Sequence, residues 1–197
     1  MAYSIENITE DCYEGTSCLI NKLGIRDEEK LKEFEAAVTF AKAGEYELQP
    51  LFDTFDTEHY KGIHRFLFKE IYDWAGKYRT VDVSKKGTAF AVATNIPNLM
   101  EAAFKRLKEQ QYFRNDNFDT FVHNITDFYQ VTNHIHPFRE GNGRTQRLFI
   151  AQLIRHAGYE INFSEIDGEE LMIATIQAAN GVQDNLIALF KNSIKKQ

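Results

Sequence analysis

The chain reads as mainly α, a helical bundle that carries a single β-hairpin. Three observations predict this. Apolar residues recur at three- and four-residue spacing through most of the chain. Prolines are few, with only Pro50, Pro97 and Pro137 to interrupt it. Apolar and polar residues alternate convincingly in one stretch alone, "RTVDVSKKGTAFAVA" (79–93).

Asp27 is placed to cap a helix running to about Ala43, with Leu31, Phe34, Val38 and Ala41 on one face. Asp56 or Thr57 starts a second helix, in which Tyr60, Ile63, Leu67, Ile71 and Trp74 form a stripe that Gly76 stops. Pro97 suits the first turn of a third, where Met100, Ala103, Phe104 and Leu107 repeat. From Asn117 onward, Phe118, Phe121, Val122, Ile125, Phe128, Tyr129 and Thr132 mark a buried helix. Pro137 disfavours helical geometry at the residue before it, so that helix ends just before His136. Leu148, Phe149, Ile150, Leu153 and Ile154 belong to the next helix, which Gly158 stops. In the hairpin, Val81 and Val83 alternate with polar residues, the chain turns around residues 85–87, and Phe90 and Val92 resume the pattern. No other convincing strand exists to cover its edges. Two readings stand side by side: a packed structural hairpin, or an edge that docks an extended segment of a partner.

A chain of 197 residues fits one domain and can bury roughly 70% of its unfolded surface. Hydrophobic residues at 43%, with sixteen Phe, suit a globular core and not a disordered tail. A net charge of −6 argues against general electrostatic binding to nucleic acid or to acidic membranes, while leaving room for a local basic pocket. Lys191, Lys195 and Lys196 read as a solvated helix end. Cys12 and Cys18 match neither a metal-binding spacing nor a disulfide scaffold, and read as reduced thiols of a cytoplasmic protein. The opening "MAYSIENITED" is too polar and acidic for a signal peptide, and no apolar run approaches the ~18 residues of a membrane span.

The densest chemistry lies in "HPFREGNGRTQR" (136–147), a tight loop running into a helix. The first turn of a helix offers unpaired N–H groups and partial positive charge, and glycine lets a ligand approach the backbone. Arg144 and Arg147, three apart, put two guanidiniums on one side of that turn. Together these make an anion hole suited to a polyphosphate. An acid inside such a hole is odd unless it holds a metal, and Glu140 can supply one ligand of a phosphate-bound Mg²⁺. His136, at the other lip, is a base placed to receive a hydroxyl proton. Phe138 points inward as the loop's anchor, and Arg139, facing the opposite way, has no assigned role. A histidine metal site from His123, His134 and His136 lacks a plausible geometry across a helix end. His64 sits on an apolar stripe and reads as a satisfied core histidine.

These residues resemble the Fic family. "HPFREGNGRTQR" agrees with the Fic signature, His-Pro-Phe-x-(Asp/Glu)-Gly-Asn-Gly-Arg-x-x-Arg, at every specified position. "IYDWAGKYRTVDVSKKGTAFA" (71–91) resembles the segment leading into the family's target-docking flap, and "YEGTSCLINKLGI" (13–25) the entry of single-domain bacterial members. The resemblance implies a single Fic domain over 1–197, with a core at about 13–190, a flap hairpin at about 79–92 and an active-site loop at 136–144. It implies transfer of AMP from Mg-ATP to a hydroxyl of a target protein. His136 would deprotonate that hydroxyl and Glu140 would hold Mg²⁺. Gly141, Asn142 and Gly143 would hold the α- and β-phosphates, Arg144 and Arg147 the outer phosphates, and Phe138 would fix the loop. The flap residues Thr80, Val81, Asp82, Val83, Lys86, Gly87 and Phe90 would align the target by strand addition.

Family variants bear on the reaction. Doc-like kinases carry Lys where this chain has Gly143, and phosphocholine-transferring relatives carry Ala where it has Gly141, so both positions favour AMP. The competing expectations are a Doc-like kinase and a non-catalytic Fic-fold interaction module. Many members restrain themselves with Ser/Thr-x-x-x-Glu-Gly/Asn, whose Glu pairs with the second motif arginine. "TEDCYEG" (9–15) has four residues between Thr9 and Glu14 instead of three, a slip of about 100° around a helix. Inhibition is therefore expected in trans, from a small antitoxin acting on Arg147. Relatives of that toxin class make DNA gyrase and topoisomerase IV subunits the expected targets.

Overall fold

The computed structural model describes residues 10–48, 54–85 and 88–196. Most of the segment read against a signal peptide (1–9), including Thr9, lies outside them, as do Lys86 and Gly87 of the hairpin.

The described residues include seven α-helices: α1 (Glu28–Glu47), α2 (Thr57–Phe68), α3 (Ile96–Glu109), α4 (Phe118–Ile135), α5 (Asn142–His156), α6 (Gly168–Ala179) and α7 (Asp184–Ser193). Four begin on short polar caps. Asp27, Asp56, Asn117 and Asp167 accept from backbone N–H groups at 2.8–3.1 Å, each worth about 1 kcal/mol. α4 is the central rod, packed against α3, α5, α6 and α7, while α2 lies between α5 and α1. Phe149 of α5 fills the middle. Its ring meets Phe55, Tyr60, Phe104 and Phe128 at centroid distances of 5.2–5.9 Å. Such contacts add about 0.5–1.5 kcal/mol each beyond the area they bury.

Some elements depart from expectation. The buried face of α1 is Leu31, Glu35, Thr39 and Tyr46, whereas Phe34 and Ala41 are exposed. Polar residues take that face because they bond the loop of the site, as described below. α2 stops at Phe68, since the N–H groups of Ile71 and Tyr72 both turn back to the Phe68 carbonyl at 2.9 Å. Ile71 and Trp74 therefore pack from the following turns and not from a helical stripe. The hairpin is shorter than its alternating pattern, with β1 (Ser84–Lys85) antiparallel to β2 (Thr88–Ala89). Below it, after one long bond from the Phe90 N–H to Val83 O (3.4 Å), the Arg79 side chain joins the arms by donating to both, at Val81 O (2.7 Å) and Ala91 O (2.5 Å). A second ribbon pairs β3 (Tyr159–Glu160) with β4 (Lys195–Lys196). Lys195 and Lys196 are thus exposed strand residues, and of the three lysines only Lys191 lies in a helix. Cys12 and Cys18 are both buried.

Candidate active site

The loop between α4 and α5 is held in one shape from both ends. His136 closes α4 in the left-handed region (φ 48°, ψ 61°), its N–H still bonded to Thr132 O at 3.1 Å. A non-glycine residue is uncommon there, and Pro137 bars the ordinary continuation of the helix. Phe138 is fully buried, stacked on His64 (3.8 Å) and Tyr60 (5.7 Å). The Asn142 amide spans the turn, accepting from the Phe138 N–H at 2.8 Å and donating to the Phe138 carbonyl at 2.7 Å. His64 supports it from below. Its Nδ1 accepts from the Gly76 N–H (2.8 Å), so the ring proton is on Nε2, which donates to the Glu140 carbonyl (3.0 Å). Burial pushes its pKa down to about 3, which keeps the ring neutral.

Gly141 then starts α5 at φ +80°, with its Cα against the Phe68 ring where a Cβ would overlap the aromatic carbons. No side chain caps this helix and no acid lies in its first turn. The N–H groups of its first turn therefore have no side-chain cap. Glu140 already uses one, its Oε1 accepting from the Gly141 N–H at 2.7 Å and from Arg144 at 3.2 Å. Arg147 points into the same space. Among the described residues no carboxylate pairs with it, and burial lowers its pKa from the usual guanidinium value.

His136 faces this hole. Its Nδ1 lies 3.3 Å from the Asn133 carbonyl, and a proton in that bond leaves Nε2 as the basic nitrogen. Phe90, from the end of the hairpin, stacks on the imidazole at 3.8 Å and 13°. His136, Glu140, Gly141, Gly143, Arg144, Arg147 and Phe90 line one cavity of about 290 Å³, with an apolar wall of Leu171, Met172, Ile176 and Ala179 from α6. An apolar groove of about 550 Å³ between α3, α4 and α6 shares Phe90, Asn133, Thr175 and Ala179 with it. Of the flap residues, Val81, Asp82 and Val83 lie on the arm leading to β1, and the Asp82 carboxylate accepts from the Ala93 N–H at 2.7 Å. Thr80 precedes them and is exposed. Glu14, weighed above for self-inhibition, sits in an exposed turn.

Three supporting residues were not legible as such. Arg139 is buried and pairs with Asp11 at 3.2 Å, tying the loop to the N-terminal segment. Arg79 has a fully buried side chain. Its guanidinium donates to the carbonyls of Ile135 and His136 (3.3 and 2.8 Å) as well as to the two flap arms, and its own N–H bonds Pro137 O at 2.9 Å. Glu35 of α1 is buried, ion-paired with Arg144, and accepts from the Tyr72 hydroxyl at 2.6 Å. Burial holds its carboxyl above the ordinary pKa, against the pull of Arg144. The available signal was Glu35 four residues after Leu31, an acid on a face that an apolar residue normally occupies. In a helix rich in glutamate that signal is weak.

Fold and cavity together define a helical domain with a basic hole at the start of one helix and a histidine across from it. A family model described as the Fic/DOC family matches residues 54–154. The probable protein adenylyltransferase y4lH of Sinorhizobium fredii is 35% identical, over 89% of this chain and 91% of its own. Protein adenylyltransferase VbhT of Bartonella schoenbuchensis is also 35% identical, over 91% of this chain, which spans 37% of the length of VbhT. Among solved structures, BepC of Bartonella tribocorum with bound AMPPNP superposes with a TM-score of 0.88 at 28% identity, covering 95% of this chain and 97% of that one. The chain belongs to the Fic/DOC family.

Proposed function

We propose that this chain is a protein adenylyltransferase that moves AMP from Mg-ATP to a hydroxyl side chain of a target protein. The observation that carries the reading is the uncapped N-terminus of α5, with Arg147 beside it and His136 across the same cavity. The N–H groups of Gly141, Gly143 and their neighbours hold the α- and β-phosphates, and Asn142 braces the loop while presenting its backbone to them. Arg144 and Arg147 hold the outer phosphates. His136 Nε2 takes the target's hydroxyl proton as that oxygen attacks the α-phosphorus. The α-phosphorus bond to the bridging oxygen breaks, and pyrophosphate leaves. Glu140 fits a Mg²⁺ site that draws one ligand from the protein and the others from phosphates and water. When bound, the ion offsets charge on the transferred and leaving phosphates. The apolar α6 wall, Leu171 to Ala179, suits a flat purine base. Relatives named protein adenylyltransferase and the AMPPNP bound in BepC support ATP as the donor.

The flap, with only two residues paired in each strand, suits a target strand laid along its edge, which brings its hydroxyl under Phe90 to His136. We place the protein in the cytoplasm as a toxin restrained by a small antitoxin that supplies an acid to Arg147. The adjoining apolar groove, with Leu99 and Val131 open on it, is suited to such a partner's helix. Gyrase and topoisomerase IV subunits are the targets to test. The experiment is incubation of the chain with a bacterial lysate and α-labelled ATP. A labelled protein band is expected that His136→Ala loses while retaining its helical circular dichroism and its nucleotide affinity within about threefold. Label arriving from γ-labelled ATP instead would make it a kinase.

A further inference from the structure

An acid beside a phosphate hole weakens the binding of phosphate unless it serves another end. Glu140 has such an end in the metal. Glu35 has none in the reaction, yet it lies on the same guanidinium. Arg144 is shared between the two carboxylates: Glu35 on one side, Glu140 at 3.2 Å on the other. Two further contacts of Arg144 lie on the Glu35 side. The Thr39 hydroxyl, one turn along α1, accepts from Arg144 at 3.1 Å, and the Phe68 ring lies under the guanidinium at 4.8 Å. Glu35 is itself fixed by the Tyr72 hydroxyl at 2.6 Å. Glu35, Thr39 and Phe68 thus form a buried seat for Arg144, while Glu140, on the loop, is the more exposed partner. Its carboxylate is about a quarter exposed, compared with 8% for Glu35.

We infer that Glu35 is a positioning residue that seats Arg144 so that Glu140 can leave it for the metal without Arg144 following. This rests on the proposed binding of Mg-ATP. Without Glu35, Arg144 has one carboxylate left. The pair Arg144–Glu140 then closes on itself, the acid is withheld from the cation, and the guanidinium is drawn off the phosphates. The role gives two effects of opposite sign. Removing the charge of Glu35 takes a negative group from beside the triphosphate, so nucleotide alone binds no worse or somewhat better. The same change weakens the gain that a divalent cation brings.

The experiment measures binding of the non-hydrolysable analogue AMPPNP by calorimetry, with and without Mg²⁺, for wild type and Glu35→Gln. Mn²⁺ occupancy in the presence of AMPPNP is followed in parallel by electron paramagnetic resonance. In Glu35→Gln the metal-dependent gain in AMPPNP affinity is expected to fall by at least about fivefold, with metal-free affinity equal or higher and Mn²⁺ bound more weakly. A parallel loss of metal-free and metal-dependent binding would mark Glu35 as merely structural and overturn the inference, as would no change in either. Should Glu35→Gln fail to fold, Thr39→Val removes one arm of the seat with little change of shape. A smaller shift in the same direction then supports the inference, and its absence overturns it. Wild type that binds no AMPPNP with Mg²⁺ present refutes the functional reading instead, so the two failures are distinguishable.

Discussion

Gly141 has two independent reasons to be glycine: a backbone at φ +80° and the ring of Phe68 where a side chain would begin. Either alone costs an L-residue free energy, and the two cannot be relieved by the same movement. Gly141→Ala is expected to destabilise the fold by about 1–3 kcal/mol through the backbone alone, with more from the overlap. Denaturant titration would show it, and a loss below about 0.5 kcal/mol would mean that the Phe68 ring swings aside. Gly143 differs, because a Cβ there meets only the movable end of Arg147, at 3.2 Å. The two glycines of one motif thus differ in what holds them, packing and backbone at the first and only a flexible side chain at the second. His64 shows the same economy. One neutral ring, its proton placed by Gly76, supports the Glu140 carbonyl and stacks on Phe138.

Among elements, the hairpin and the end of α4 behave as one piece because Arg79 joins them. Its fork satisfies two carbonyls at the C-terminus of α4, which no further helical turn is present to use, and one carbonyl in each flap arm. Lysine has the charge but not the fork. Arg79→Lys is expected to speed amide exchange at Ala91, whose N–H bonds His134 O at 3.0 Å, by about tenfold for each ~1.4 kcal/mol lost. The apparent KM for a target should rise while AMPPNP affinity stays within about threefold. Equal losses in both would mean that Arg79 supports the body and not the flap. α4 was legible to the residue, since its long apolar repeat, Asn117 as a cap and Pro137 beyond its end agree; α3 and α5 were legible as helices, but α5 starts at Asn142, inside the loop expected over 136–144, because an uncapped first turn carries no sequence mark. α1 was legible as a helix but not in its rotation. Periodicity reports where apolar residues lie, and the face of α1 that turns inward carries Glu35 and Thr39 for the sake of Arg144. β3 and β4, two residues each and far apart in the chain, leave no local pattern to read. In the site, the loop residues themselves were legible because one short run contains them. Glu35, Arg79 and Asp11 were not, because their partners are distant in sequence.

At the scale of the molecule, one cluster of buried side chains runs from Cys18 to Ile194 and includes Phe138 of the loop. Unfolding should therefore be a single transition for the whole chain, and a ligand held by the loop should stabilise all of it. AMPPNP with Mg²⁺ at a hundred times its Kd is expected to add about 2.7 kcal/mol, raising Tm by roughly 5–10 °C in one step. Arg147→Ala should reduce that shift sharply while leaving the unliganded Tm nearly unchanged, because Arg147 pairs with no carboxylate among the described residues that its loss would leave bare. Scanning calorimetry reads both, and two separate transitions would refute the single unit.

Arg139 reaches back to Asp11, Arg144 to Glu35, the Glu140 carbonyl to His64 and the His136 carbonyl to Arg79. Each of these braces precedes the loop in the chain. On a ribosome, which releases the N-terminus first, these four partners are therefore already synthesised when the loop emerges, whereas the α6 wall of the cavity follows it. A chain whose synthesis stalls before Asn142 carries all the braces and no phosphate hole.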